Sequence, residues 1–213
     1  MSTDPYWNHN THYHPWVLDQ VPDHARTALD IGCGDGLLAR KLAGRCDAVL
    51  GVDTDARVIA DAPATPTVHL EHTDFRDLDQ TFDVVTAVAT LHHVPLRDGL
   101  TTLRRLVAPG GVLAVVGLWK MHPLTDFPYY AALPAIRAVD RRHRRVLGGP
   151  EMVLRDPRET LAEIRTTAAE LLPGAQIRRR LMWRYTLRWQ NPGRELASGK
   201  RAGEGTARRS SRL

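Results

Sequence analysis

The stretch LDIGCGDGLLA, residues 29–39, places three glycines and two aspartates directly after an apolar run. A backbone without Cβ atoms can pass close beneath a bound molecule, so a loop of this kind suits a nucleotide. Its neighbours decide which one. A nucleoside triphosphate needs a Lys and a Ser/Thr after the last glycine, but Gly36 is followed by Leu37 and Leu38. A dinucleotide needs G-x-G-x-x-G and a helix start facing its pyrophosphate. Here Gly32, Gly34 and Gly36 are spaced G-x-G-x-G, and Asp30 and Asp35 would repel a pyrophosphate.

S-adenosylmethionine meets neither objection. It has no phosphate, and its methionyl end carries an ammonium and a sulfonium that an acid such as Asp30 attracts. A second acid, Asp53, ends the apolar run in VLGVDTD (49–55), 21 residues after Gly32. A carboxylate only accepts hydrogen bonds, so it can take two neighbouring ribose hydroxyls. Dinucleotide-binding proteins share that spacing, so it does not separate the two ligands.

With these residues the chain resembles the class I S-adenosylmethionine-dependent methyltransferases of the small Rossmann-like type. Further motifs follow in order: HTDFRDL (72–78), FDVVTAVATLHHV (82–94) and LRRLVAPGGVLAVVG (103–117). The resemblance covers about 27–118 by motif and extends to 192 by architecture. It implies that S-adenosylmethionine is the cofactor and S-adenosylhomocysteine the product. It also implies that Asp30, Gly32, Cys33, Gly34 and Gly36 cradle the methionyl part, with Asp53 and Thr54 at the ribose. Asp74 and Phe75 then meet the adenine, and Ala89 borders the methyl donor.

These side chains need strands to carry them. The runs at 28–31, 48–53, 67–72, 82–88 and 112–118 read as strands, and 48–53, 82–88 and 112–118 are nearly continuous in apolar residues. Strands buried on both faces look like this. Helical patterns alternate with them at 37–43, 57–61 and 96–107, which argues for a doubly wound α/β sheet. Pro109-Gly110-Gly111 is expected to end the third helix. Asp156, Pro157 and Glu159 are expected to cap a further helix with an apolar stripe of Leu161, Ile164, Ala168 and Leu171. Two strand-like stretches close the pattern, 177–183 and 185–189, and no Asn-Gly or Gly-Gly marks a turn between them. The resemblance implies a mostly parallel seven-stranded sheet with helices on both faces and an antiparallel last strand.

The chain has 213 residues, enough for one domain with a sizeable core. The expected organisation is an N-terminal cap segment (1–26), a methyltransferase domain (27–192) with a lid-like insertion at about 119–154, and a disordered basic tail (193–213). The net charge of +5 resides mostly in that tail, which holds six Lys/Arg and two Glu. The remainder is close to neutral, which argues against a specific nucleic acid partner. The Asp/Asn-Pro-Pro-Tyr/Phe of DNA amino-methylating enzymes is absent, its place taken by Ala89-Thr90-Leu91-His92. No apolar run is long enough to span a bilayer, and the first residues do not read as a secretory signal. With two cysteines, Cys33 and Cys46, a cytoplasmic protein with free thiols is expected.

Methyl transfer chiefly requires alignment and exclusion of water, so it leaves little catalytic signature. A hydroxyl acceptor also needs a base. His92, His93 and His122 are the candidates because they follow the fourth and fifth strands. The segment YWNHNTHYHPW (6–16) is rich in His and aromatics but lacks a Cys or an acid for a fourth metal ligand. A cap over the site or an anchor on the core explains it better, and no metal is expected. Trp119, Phe127, Tyr129 and Tyr130 could line an aromatic pocket or form the buried side of a lid. Arg141, Arg142, Arg144 and Arg145 are read as a solvated helix face. The expected activity is methyl transfer to a small-molecule acceptor by a monomer or homodimer. A non-catalytic cofactor-binding subunit and a nicotinamide-dependent reductase are the alternatives.

Overall fold

The computed structural model describes residues 4–63, 65–122, 126–143, 148–149 and 155–193. Its strands are β1 (Thr27–Ile31), β2 (Ala48–Asp53), β3 (Val68–His72), β4 (Phe82–Val88), β5 (Val107–Leu118), β6 (Gln176–Arg180) and β7 (Arg184–Gln190). They form one sheet in the order β3-β2-β1-β4-β5-β7-β6. The first five are parallel, while β7 runs antiparallel to both β5 and β6. The helices are α1 (His14–Leu18), α2 (Leu37–Leu42), α3 (Ala56–Ala60), α4 (Leu96–Leu106), α5 (Leu133–His143) and α6 (Leu161–Leu171).

Alternation along each strand divides the core into two layers. Leu29, Val85, Leu113 and Val115 pack under α4 and α6, against Leu100, Leu103, Leu106, Leu161 and Ile164. On the other face Ala28, Val49, Val84 and Ala114 meet Val17 of α1 and Leu38 and Leu42 of α2. Strand order reverses between β1 and β4, so their carboxyl ends open the crevice in which sheets of this class bind ligands.

Four local expectations need correction. The helix expected to start at Asp156 starts after Thr160, whose Oγ1 accepts from Glu163 N–H while the Glu163 carboxylate accepts from Thr160 N–H at 2.7 Å. Lys120 N–H donates to Glu159 O at 2.7 Å, which holds the preceding residues extended beside the end of β5. Leu172, rather than Leu171, completes the buried stripe.

The third helix ends at Leu106, and Pro109-Gly110-Gly111 lies inside β5. The register there shifts between Phe82 and Val84, and Asn191 exchanges backbone hydrogen bonds with Gly110 and Gly111. Two strands follow α6 as expected, but the first ends at Arg180 rather than at 183, and Leu181-Met182-Trp183 joins it to the second. Met182 and Trp183 both have positive φ, and Arg184 N–H donates to Leu181 O, as in a type I′ hairpin turn. Tyr13 and Tyr129 hold this turn from outside. The Tyr13 hydroxyl donates to Leu181 O at 2.8 Å, and the Tyr129 hydroxyl accepts from Trp183 N–H at 2.9 Å.

Trp119 and Tyr129 pack edge to face inside the core, whereas Phe127 is 72% exposed. Arg141 and Arg142 are exposed on α5. Arg144 and Arg145, the tail from 194 onward and parts of the lid-like insertion (123–125, 144–147, 150–154) lie outside the described residues.

Candidate active site

The loop after β1 is fixed from β2. Gly32 N–H and Cys33 N–H both donate to Val52 O, at 2.8 and 3.1 Å. Gly32 has φ +66, and a Cβ there would lie 2.2 Å from Thr90 Oγ1, so only glycine fits. Asp53, ending β2, accepts from Gly34 N–H through Oδ2 at 2.9 Å and from Asp55 N–H through Oδ1 at 3.0 Å. The second acid is therefore tied to the glycine loop of the first.

Asp30 is 2% exposed. Its Oδ1 accepts from the Thr86 hydroxyl at 2.8 Å, and its Oδ2 is buried with no hydrogen-bond partner. Burial pushes its pKa up to about 7, with the Thr86 hydrogen bond opposing and the Asp53 charge adding. An orphaned carboxylate oxygen beside a glycine loop suits a cation.

Two cavities meet at Gly32. The larger, about 320 Å³, is lined by Asp53, Thr54, Asp74, Phe75, Ala89 and His93, among others. The smaller, about 60 Å³, is lined by Asp30, Cys33, Gly34, Tyr6 and Asn10 with their neighbours. Asp74 is locked by Arg76, whose guanidinium holds the Asp74 carboxyl below the usual carboxylate range. Ala89 has φ 54 and donates its N–H to Val116 O at 2.7 Å, which turns the chain sharply out of β4. Gly36 lines neither cavity. It starts α2, and a Cβ there would lie 2.8 Å from Leu70 Cδ1, so it serves helix–sheet packing.

The three candidate bases separate. Leu91–His93 is a 3-10 turn, which aims consecutive side chains about 120° apart. His93 lines the large cavity, and burial lowers its pKa, with Arg155 adding. His92 lines neither cavity. Its Nδ1 is buried without a partner, and burial followed by His93 and Arg184 pushes its pKa down to about 4. His122 also lies outside both cavities, with its N–H donating to Asp126 Oδ2 at 2.8 Å.

The N-terminal segment covers the smaller cavity. The Tyr6 hydroxyl donates to the Asp35 carboxylate, 3.0 Å from each oxygen. Trp7 stacks on His143 of α5 with 4.5 Å between centroids, and His9 Nε2 lies 3.0 Å from Asp140. His14 is buried with Nδ1 3.1 Å from Lys41 Nζ, and burial pushes its pKa down to about 3. Among the described residues no group of three or more His, Cys, Asp or Glu could hold a metal. Asn10, Thr90 and Arg155 also line the cavities. Thr90 lies in the 82–94 motif without having been singled out, Arg155 belongs to no motif, and only the odd composition of 6–16 hinted at Asn10.

The model of a methyltransferase domain matches residues 29–115. An uncharacterized methyltransferase of Mycobacterium tuberculosis is 36% identical over 206 residues, covering 89% of this chain and 99% of that protein. The chain belongs to the class I S-adenosylmethionine-dependent methyltransferases. It is an enzyme with S-adenosylmethionine as its cofactor, and the non-catalytic and reductase alternatives fall away.

Solved methyltransferases share the fold. The N-methyltransferase NodS of Bradyrhizobium japonicum, in complex with S-adenosylhomocysteine, superposes with a TM-score of 0.56 at 18% identity, covering 85% of this chain and 87% of that one. An amino pentose methyltransferase of Micromonospora echinaspora with S-adenosylmethionine bound gives 0.57 at 18% identity, covering 85% and 89%. The methyltransferase chain here therefore carries its acids on the strand ends of a fold used throughout this enzyme class.

Proposed function

We propose that this methyltransferase passes the methyl group of S-adenosylmethionine to a small-molecule acceptor. The sulfonium supplies an activated methyl and a good leaving group. The protein's part is to hold both reactants in line and keep water out. In this reading the free oxygen of Asp30 faces the methionyl ammonium, and Asp53 takes the ribose hydroxyls. Thr54, Asp74 and Phe75 bound the adenosine, with Cys33 and Gly34 beneath the methionyl chain. The cap is formed by the first residues, closing on the glycine loop.

The observation that carries the small-molecule reading is this cap. Tyr6, Asn8, Asn10 and Thr11 line the smaller cavity together with Asp30, so the methionyl end lies under protein rather than in an open groove. Acceptors that reach it must be compact. Ubiquinone biosynthesis O-methyltransferase of Pseudomonas paraeruginosa, 32% identical over 108 residues, covers 45% of this chain and 46% of that enzyme. Its name points to a small-molecule hydroxyl. For a hydroxyl acceptor His93 is the base. Its imidazole, whose pKa burial lowers, would take the hydroxyl proton while the bound cofactor supplied the methyl group. No helix among the described residues is long and apolar enough to cross a membrane.

The test is a mass-spectrometric screen of phenols, carboxylic acids and amines with S-adenosylmethionine, run beside whole-cell protein and RNA. Small molecules gaining a methyl in step with S-adenosylhomocysteine release support the reading. Methyl label found only in protein or RNA overturns it.

A further inference from the structure

Arg184 opens β7 opposite Leu118, the last residue of β5, and so stands at the carboxyl edge of the parallel strands, beside but not lining the two cavities. Its surroundings are unusual for a guanidinium. Its Nε and Nη2 both donate to Asn10 Oδ1, at 3.1 and 2.8 Å, and its Nη1 donates to Met182 O at 2.9 Å. All these acceptors are neutral. Among the described residues no carboxylate pairs with it, although eight other ion pairs occur there. Arg184 is half-buried, and an Arg drawn partly out of water is normally paired with an anion, because leaving its charge unmatched is costly.

The groups within electrostatic reach of it are Tyr13, Tyr129 and His92. Burial raises both tyrosines and lowers His92, so at neutral pH none carries a negative charge. The guanidinium has five N–H donors. Three are used in the bonds above, which leaves one on each Nη. These two N–H groups are left to donate to an oxyanion. Asn10, which anchors the other side of the guanidinium, lines the cavity that holds Asp30. His92 Nδ1, also buried and unpartnered, lies in the same region.

We propose that Arg184 is a specificity residue of the acceptor site and selects methyl acceptors that carry a carboxylate or another oxyanion. This rests on the small-molecule reading above. Asp30 and Arg184 then divide the labour by charge. The buried carboxylate receives the cationic cofactor, and the unpaired guanidinium receives an anionic acceptor. Two charges left unmatched in the protein alone are matched when both ligands are present.

The experiment is calorimetric titration of the S-adenosylhomocysteine complex with benzoate, phenyl phosphate and neutral benzamide, on the wild type, Arg184→Gln and Arg184→Lys. The wild type should bind at least one anion about 10-fold or more tighter than benzamide. Arg184→Gln should lose that preference with unchanged affinity for S-adenosylhomocysteine, and Arg184→Lys should keep part of it. If Arg184→Gln does not fold, the wild-type preference and the Lys variant decide. Benzamide binding as tightly as the anions overturns the proposal and leaves the small-molecule reading standing. So does a loss of S-adenosylhomocysteine affinity in Arg184→Gln, which would place the cofactor carboxylate on the guanidinium. Failure of all three probes, together with methyl transfer only to macromolecules, overturns both.

Discussion

Asp53 Oδ2 accepts the backbone N–H of Gly34 at 2.9 Å, so the acid that ends β2 also pins the loop that leaves β1. In the proposed binding mode one side chain would serve both ends of the adenosine–methionine axis, so replacing it should loosen the loop as well as remove the proposed ribose partner. Asp53→Asn keeps an oxygen for Gly34 and should melt close to the wild type, whereas Asp53→Ala should melt lower by about 1–3 kcal/mol of stability. Equal melting of the two variants in thermal denaturation would count against the coupling.

Gly32 allows no side chain. Its φ of +66 and the 2.2 Å approach of a Cβ to Thr90 Oγ1 both resist substitution, and the Thr90 hydroxyl is itself engaged by Ile31 O and Val88 O. Gly32→Ala should cost about 2–4 kcal/mol in chemical denaturation and displace the loop. The double variant Gly32→Ala/Thr90→Ser, which removes one clashing methyl, should recover part of that loss.

Asp30 gives the protein a pH signature. Its folded pKa of about 7 lies above the unfolded value of about 3.9. The folded state therefore binds more protons in this window, and stability falls as pH rises from about 4 to about 7. Asp30→Asn should stabilise the cofactor-free protein at pH 8 by about 2–4 kcal/mol, and the gain should vanish near pH 4. Cofactor affinity should move the other way, rising with pH through about 7 in the wild type, because the ammonium needs the ionised carboxylate. An affinity independent of pH between 6 and 8, measured by calorimetry, would remove Asp30 from the site.

The histidines act with the opposite sign. Folded pKa values of about 3 for His14 and about 4 for His92 lie below the unfolded value of about 6.5. Stability from these groups is lost as pH falls from about 6.5 toward 4. In Asp30→Asn, where the opposing carboxylate is gone, stability should fall steadily as pH drops below about 6.5, and acid unfolding near pH 4 should coincide with that of the wild type. Equilibrium denaturation at stepped pH checks this.

The cap depends on Trp7. It is buried, stacks on His143 and meets His9 and His12 edge-on. Trp7→Ala should destabilise the protein by roughly 2–4 kcal/mol and speed cofactor dissociation in stopped-flow displacement. An unchanged dissociation rate would mean that the N-terminal segment does not guard the site.

The parallel half of the fold was legible because each site acid lies at or just beyond the carboxyl end of a strand, and the runs of β2, β4 and β5 are nearly continuous in apolar residues. Asp30, Asp53 and Asp74 are read from position alone once β1, β2 and β3 are recognised. Elsewhere the deciding contacts are distant in sequence. The turn at Met182 and Trp183 carries no glycine, since Tyr13 and Tyr129 hold two residues at positive φ there. The expected start of α6 differs because two capping patterns overlap, and Lys120, just past the end of β5, holds Glu159 outside the helix. Arg184 is one of nine arginines between 155 and 194 in the sequence. Only its neutral surroundings in the fold mark it out. His92 and His93 are adjacent in the chain, and the direction of one 3-10 turn separates them.

The central claim is that the linked acids Asp30 and Asp53 hold the cofactor. Calorimetric titration with S-adenosylmethionine and S-adenosylhomocysteine tests it most directly. The wild type should bind both, and Asp53→Ala should bind both more weakly by about 10- to 150-fold, the loss of a charge-assisted contact of about 1.5–3 kcal/mol. Equal affinities in the wild type and a folded Asp53→Ala would contradict the account.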